Sequence, residues 1–129
     1  MARNLTVLDR QLRELSLGYP LSISDDYDWI IANRFRLPPG FNLQRTEVLL
    51  EIPSDYPLSP PGIGSRVYLP PSLRFGDKKL KDLHEGTTPG WGSWAWFCYE
   101  WIRWDPHRDD LVKFLEMIRA DLTNPPTRR

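Results

Sequence analysis

Residues 46–61, TEVLLEIPSDYPLSPP, decide how the rest of the chain is read. Thr46 to Ile52 is rich in Val, Leu and Ile and suits a strand, and Pro53 ends it because proline has no N–H to give a ladder. Beyond Pro53 the chain enters a turn stiffened by proline. Pro57, Pro60 and Pro61 each fix φ and push the residue before them towards extended geometry, and Asp55 supplies turn chemistry.

Two further strands flank this stretch. Tyr27 to Leu37, YDWIIANRFRL, is dense in aromatic and β-branched residues and closes at Pro38-Pro39-Gly40, and Ile63 to Leu69 is a second apolar run beyond the proline turn. Connections this short cannot carry a parallel crossover, so the three strands are predicted to form an antiparallel meander. Such a sheet has a face to cover, and the two ends of the chain supply helices for it. In Leu5 to Leu17, leucines 5, 8, 12 and 15 recur at helical spacing, Thr6 with Asp9 forms a capping-box pattern, and Gly18 and Pro20 end the run. Its outward face carries Arg10, Arg13 and Glu14. In Asp109 to Leu122 an apolar face of Leu111, Phe114, Leu115, Ile118 and Leu122 predicts a second helix. Pro106 suits its first position with Asp105 as the cap, Asp109 and Asp110 complement its positive end, and Asn124-Pro125-Pro126 stops it.

Between the strands and the last helix the pattern dissolves. Pro70 to Gly90 reads as a long loop anchored by Leu73, Phe75, Leu80 and Leu83, and Arg74, Lys78, Lys79 and Lys81 make it locally basic, either as a solvated loop or as a surface for an acidic partner. Five of the six tryptophans then fall between Trp91 and Trp104, with Phe97 and Tyr99 among them. Aromatics at this density fill a core or line a partner surface. Cys98, the only cysteine, lies in this block.

The totals exclude several classes of function. A chain of 129 residues suits a single domain, residues 1–129, able to bury its own core. Lysine plus arginine balances aspartate plus glutamate at 17 each, which gives no field for nucleic acid or an anionic membrane. One cysteine excludes an internal disulfide and fits a reducing compartment, and with no signal-like or membrane-spanning run the expected location is the cytoplasm. Two histidines and one cysteine without ligand spacing imply no metal, and no organic cofactor is implied either.

A strand ending in proline, then Tyr56-Pro57-x-x-Pro60-Pro61, a long irregular segment, Cys98, Trp104-Asp105-Pro106, an amphipathic helix and a closing Asn124-Pro125 resemble, over nearly the whole chain, the ubiquitin-conjugating (UBC) domain. The resemblance is nearest to divergent bacterial members. It implies an α+β UBC-like fold: an N-terminal helix, an antiparallel β-meander, a long active-site loop and a C-terminal helix packed on the sheet. It also implies a thioester with a ubiquitin-like protein at Cys98, and an activating enzyme as partner, docked in this family by the first helix. In bacteria such genes accompany one for a metal-dependent deconjugating peptidase, and antiviral defence is a reasonable setting.

The chain departs from the family in two places. The His-Pro-Asn whose Asn supports the oxyanion of aminolysis has no counterpart before Cys98, the nearest histidine being His84 in Leu83-His84-Glu85. Cys98 also comes 37 residues after Pro61, a longer separation than is typical. Thioester exchange needs a reachable thiolate, helped by a cation, a helix N-terminus or a base, and Arg103, His107 and the start of the last helix are near in sequence. Aminolysis needs donors for the oxyanion and an acidic group for the amine, for which Asp105, His84 and Tyr99 are candidates. The site prediction is therefore Cys98, His84 and Asp105. The alternatives are an inactive UBC-like interaction module binding the activating enzyme or a ubiquitin-like protein, and a hydrolase pairing Cys98 with His84. A lone cysteine is also commonly a small core residue.

Overall fold

The computed structural model describes residues 3–85, 93–99 and 102–128. The far end of the predicted loop (86–90), and Trp91 and Trp101 of the aromatic block, lie outside them. The elements run α1 (Leu5–Ser16), β1 (Leu21–Ile23), β2 (Trp29–Arg36), β3 (Arg45–Glu51), β4 (Arg66–Leu69), β5 (Leu83–His84), β6 (Ala95–Cys98) and α2 (Leu111–Asp121). All strand pairs are antiparallel, and the sheet order is β1-β2-β3-β4-β6-β5. The α+β, UBC-like arrangement expected from the sequence is present: a helix, an antiparallel sheet and a closing helix.

The predicted three-strand meander is the middle of a six-strand sheet. β1 adds one edge, while β6 and β5 extend the other from within the supposed loop and aromatic block. The third predicted strand starts late, at Arg66, because Gly62, Gly64 and Ser65 take positive φ and hold Ile63 in an exposed turn. In β2 the register shifts between Ala32 and Phe35, where Arg34 takes φ 61°.

Pleating sorts the side chains onto two faces. Ile30, Ala32, Phe35, Val48, Leu50, Val67, Leu69, Phe97 and Leu83 point to the helices and join Leu8, Leu12, Leu15, Phe114, Leu115 and Ile118 in the main core. Leu5, at the helix start, is exposed. Leu49, Tyr68 and Trp94, with Trp29, Ile31 and Trp96, form a second cluster, and strand parity puts the strand members on the opposite face.

Both helix caps differ from the sequence reading. Asn4, not Thr6, caps α1, its Oδ1 accepting from the Val7 N–H at 3.1 Å. Asp110, not Asp105, caps α2, accepting from the Lys113 N–H at 2.8 Å. Asp105-Pro106 instead opens a separate turn, in which Asp105 Oδ1 accepts from the His107 N–H at 2.9 Å.

The proline turn is joined to the helices by one polar side chain. Gln11, buried on α1, accepts through Oε1 from the Tyr56 hydroxyl at 2.5 Å and from the first N–H of α2, Leu111, at 3.2 Å. Burial, reinforced by the Asp110 carboxylate, pushes the Tyr56 phenol well above its ordinary range. The folded state therefore keeps this proton at pH values where the unfolded chain loses it. Stability should be flat up to about pH 10 and then fall, by up to ~1.4 kcal/mol per pH unit for each such tyrosine. Urea midpoints between pH 8 and 11 should show a shallower alkaline decline for Tyr56→Phe than for the wild type. Parallel declines would mean that Tyr56 does not hold its proton in the fold.

Candidate functional site

Cys98 is the last residue of β6 and is half-buried. It stands opposite Arg66 on β4, and its backbone N–H donates to the Asp82 carbonyl at 3.1 Å, next to β5. With Phe97 turned into the main core, strand parity puts Cys98 on the face away from the helices, together with Trp96. Trp96 carries its own partners there: the His84 ring stacks on it with centroids 4.2 Å apart, and the Arg66 guanidinium lies 4.3 Å from its centroid. The sheet thus brings a thiol, a cation, an imidazole and an indole to one end of one face.

Of the predicted residues, Cys98 and His84 fall on this face. His84 is across from Trp96, two positions along the chain from the Asp82 that faces Cys98. Asp105 is held elsewhere, on the approach to α2. Its backbone N–H donates to Asp109 Oδ2 at 2.7 Å, and its own carboxylate takes the His107 N–H and a contact from Arg108 Nε at 3.8 Å. Tyr99 turns to the helix side, its ring edge-on to Phe114 and its hydroxyl donating to the Pro61 and Gly62 carbonyls at 3.2 and 3.3 Å. Burial pushes its phenol upward as well. Arg103 and His107 are exposed in the segment before α2.

The sequence reading missed Arg66 and Asp82, which flank Cys98 on its two sides in the sheet. Only strand register reveals them. Arg66 is 32 positions from Cys98 in sequence, and Asp82 adjoins a strand of two residues.

The segment after Cys98 is tied to the proline turn. Trp104 Nε1 donates to the Pro57 carbonyl at 2.7 Å, and the Trp104 ring packs on Tyr56 and Phe114. Within the turn the Ser59 hydroxyl donates to Asp55 Oδ2 at 2.7 Å. Tyr56-Pro57 is a cis peptide. The Tyr-Pro-x-x-Pro-Pro segment therefore braces the chain beyond the cysteine at two points, through Tyr99 and through Trp104.

A helix-flanked antiparallel sheet with the proline turn packed against its helices is the arrangement of a UBC-like fold. The sequence matches the model of prokaryotic E2 family E over residues 5–124, and the chain belongs to that family. No curated protein and no solved structure matches it. Among the described residues no group of three or more His, Cys, Asp or Glu could hold a metal ion, and no helix is long and apolar enough to cross a membrane.

Proposed function

We propose that this E2-like protein carries a ubiquitin-like protein as a thioester on Cys98 and passes it to an amine. The observation supporting this reading is a half-exposed cysteine on the sheet face away from the helices, in a member of a prokaryotic E2 family. The Cys98 thiolate attacks the thioester carbonyl of the charged activating enzyme, whose own thiolate leaves, so the acyl group moves without net redox change. The target amine then attacks, loses a proton and forms an amide as the Cys98 thiolate departs. Arg66, paired with Cys98 across the strands, is the candidate cation for the thiolate, and Asp82, whose carbonyl takes the Cys98 N–H, and His84, stacked on Trp96, are the candidate groups to take the amine proton. Within this reading the partners are a ubiquitin-like protein, its activating enzyme and a metal-dependent deconjugating peptidase, in the cytoplasm of a bacterium and in antiviral defence.

The test combines the chain with an activating enzyme, a ubiquitin-like protein and ATP, and resolves the products on non-reducing gels. Wild type should give a shifted band removed by thiol, Cys98→Ser a band that resists thiol because an oxyester forms, and Cys98→Ala no band. An adduct of wild-type intensity on Cys98→Ala would overturn the assignment. Binding of either partner with no adduct at all would favour the interaction-module reading.

A further inference from the structure

We propose that a cavity beside β5 binds a dianionic phosphate group, either free phosphate or a phosphomonoester. The cavity holds about 130 Å³ and is lined by Arg74, Lys79, Leu83, His84, Glu85 and Arg128, among others. One water needs about 10–15 Å³ on this measure, so a tetrahedral oxyanion has room.

Three separate segments deliver its cations, and backbone contacts hold each one there. Residues 126–128 lie along residues 79–81: Lys81 N–H donates to the Pro126 carbonyl at 2.9 Å, Leu80 bridges Thr127, and Arg128 N–H donates to the Lys79 carbonyl at 2.8 Å. This places Arg128 beside β5, where its Nη2 reaches the Leu83 carbonyl at 3.3 Å and lies 3.4 Å from His84 Nδ1. Arg74 comes from the loop after β4. Its backbone exchanges hydrogen bonds with Asn42, and its Nη1 donates to the Pro71 and Leu73 carbonyls at 2.8 and 2.9 Å.

The cavity's charge is one-sided. The ion pairs among the described residues are Arg3–Asp28, Arg13–Asp9, Arg108–Asp105 and Arg119–Glu116, and none of them involves a cation of the cavity. Glu85 is the one acidic residue among the described residues of the lining. Like charges held together in a concave site repel one another and concentrate anions, and three cations against one carboxylate match a dianion better than a monoanion. Arginine forks suit phosphate oxygens, and the apolar Leu83 side of the cavity suits the carbon end of an ester.

The test is titration of the full chain at constant ionic strength with inorganic phosphate, phenyl phosphate and acetate, monitored through the His84 ring and Arg128 amide resonances. Phosphate should give a saturable shift. Lys79→Gln, whose exposed side chain has no structural role, and Arg128→Gln should each weaken it roughly tenfold, as loss of a charge-assisted contact does. Lys113→Gln, on the exposed side of α2, should leave it unchanged. Saturation by phosphate alone assigns the free ion, and saturation by phenyl phosphate as well assigns an ester. Acetate binding as tightly as phosphate, no saturation, or equal binding by Lys79→Gln and wild type would overturn the proposal. None of these readouts depends on thioester formation at Cys98.

Discussion

Gly62→Ala should cost roughly 2–5 kcal/mol, combining about 1–2 for a left-handed backbone with about 1–3 for overpacking. Gly62 has φ +81°, and its N–H donates to the Glu51 carbonyl at 2.7 Å, which fixes the chain where the proline turn enters β4. A methyl group there would sit inside van der Waals contact of the Arg66 carbonyl oxygen and 3.2 Å from the Tyr99 ring. Neither can retreat freely, because Arg66 is the first residue of β4 and the Tyr99 hydroxyl is bonded to Pro61 and Gly62. Gly76→Ala is the matched control: φ is +61° but nothing lies within 4 Å, so only the backbone cost of about 1–2 kcal/mol applies. Urea denaturation of the two variants separates the terms, and equal losses would show that β4 does not close against Gly62. Because Arg66 is paired with Cys98, under the proposed carrier function the same variant should also lower the yield of thioester in the gel assay.

The second large effect is expected at Gln11. Gln11→Leu keeps the helix and the bulk but removes the acceptor shared by the Tyr56 hydroxyl and the Leu111 N–H. Each donor left unsatisfied in the core costs about 1–3 kcal/mol, so the total loss should be roughly 2–6 kcal/mol. Adding Tyr56→Phe removes one orphan, and the double variant should be more stable than the sum of the single losses implies, by about 0.5–3 kcal/mol. Strict additivity in a urea double-mutant cycle would show that the two side chains do not share this bond.

The parts of the fold legible in the sequence were those with a full period to read. α1 repeats leucine over three turns, α2 carries its apolar residues on one face, and β3 is closed off by a proline. β1 and β5, with three and two residues, are too short to show alternation. β6 reads Ala-Trp-Phe-Cys, apolar on both faces because one meets the core and the other a cluster of aromatics, so no polar beat marks it as a strand. At the start of α2, two signals competed. Asp105-Pro106 looks like a cap and first turn, but Asp110 lies directly before the apolar face and captures the Lys113 N–H. The same limits governed the site. Cys98 and His84 stood out as rare residue types, whereas Arg66 and Asp82 are ordinary charges that gain meaning only from the strands beside them.

The shortness of the outer strands also bears on how a partner can approach. β1 forms one rim of the sheet and β5 the other, with three and two residues. An extended tail laid alongside β5, on the rim nearer the cysteine strand, would find little main-chain bonding, because the Leu83 N–H already donates to the Leu80 carbonyl and the Leu83 carbonyl already takes Arg128 Nη2. Recognition on that side must come from side chains, and a chance β-segment gains little foothold there.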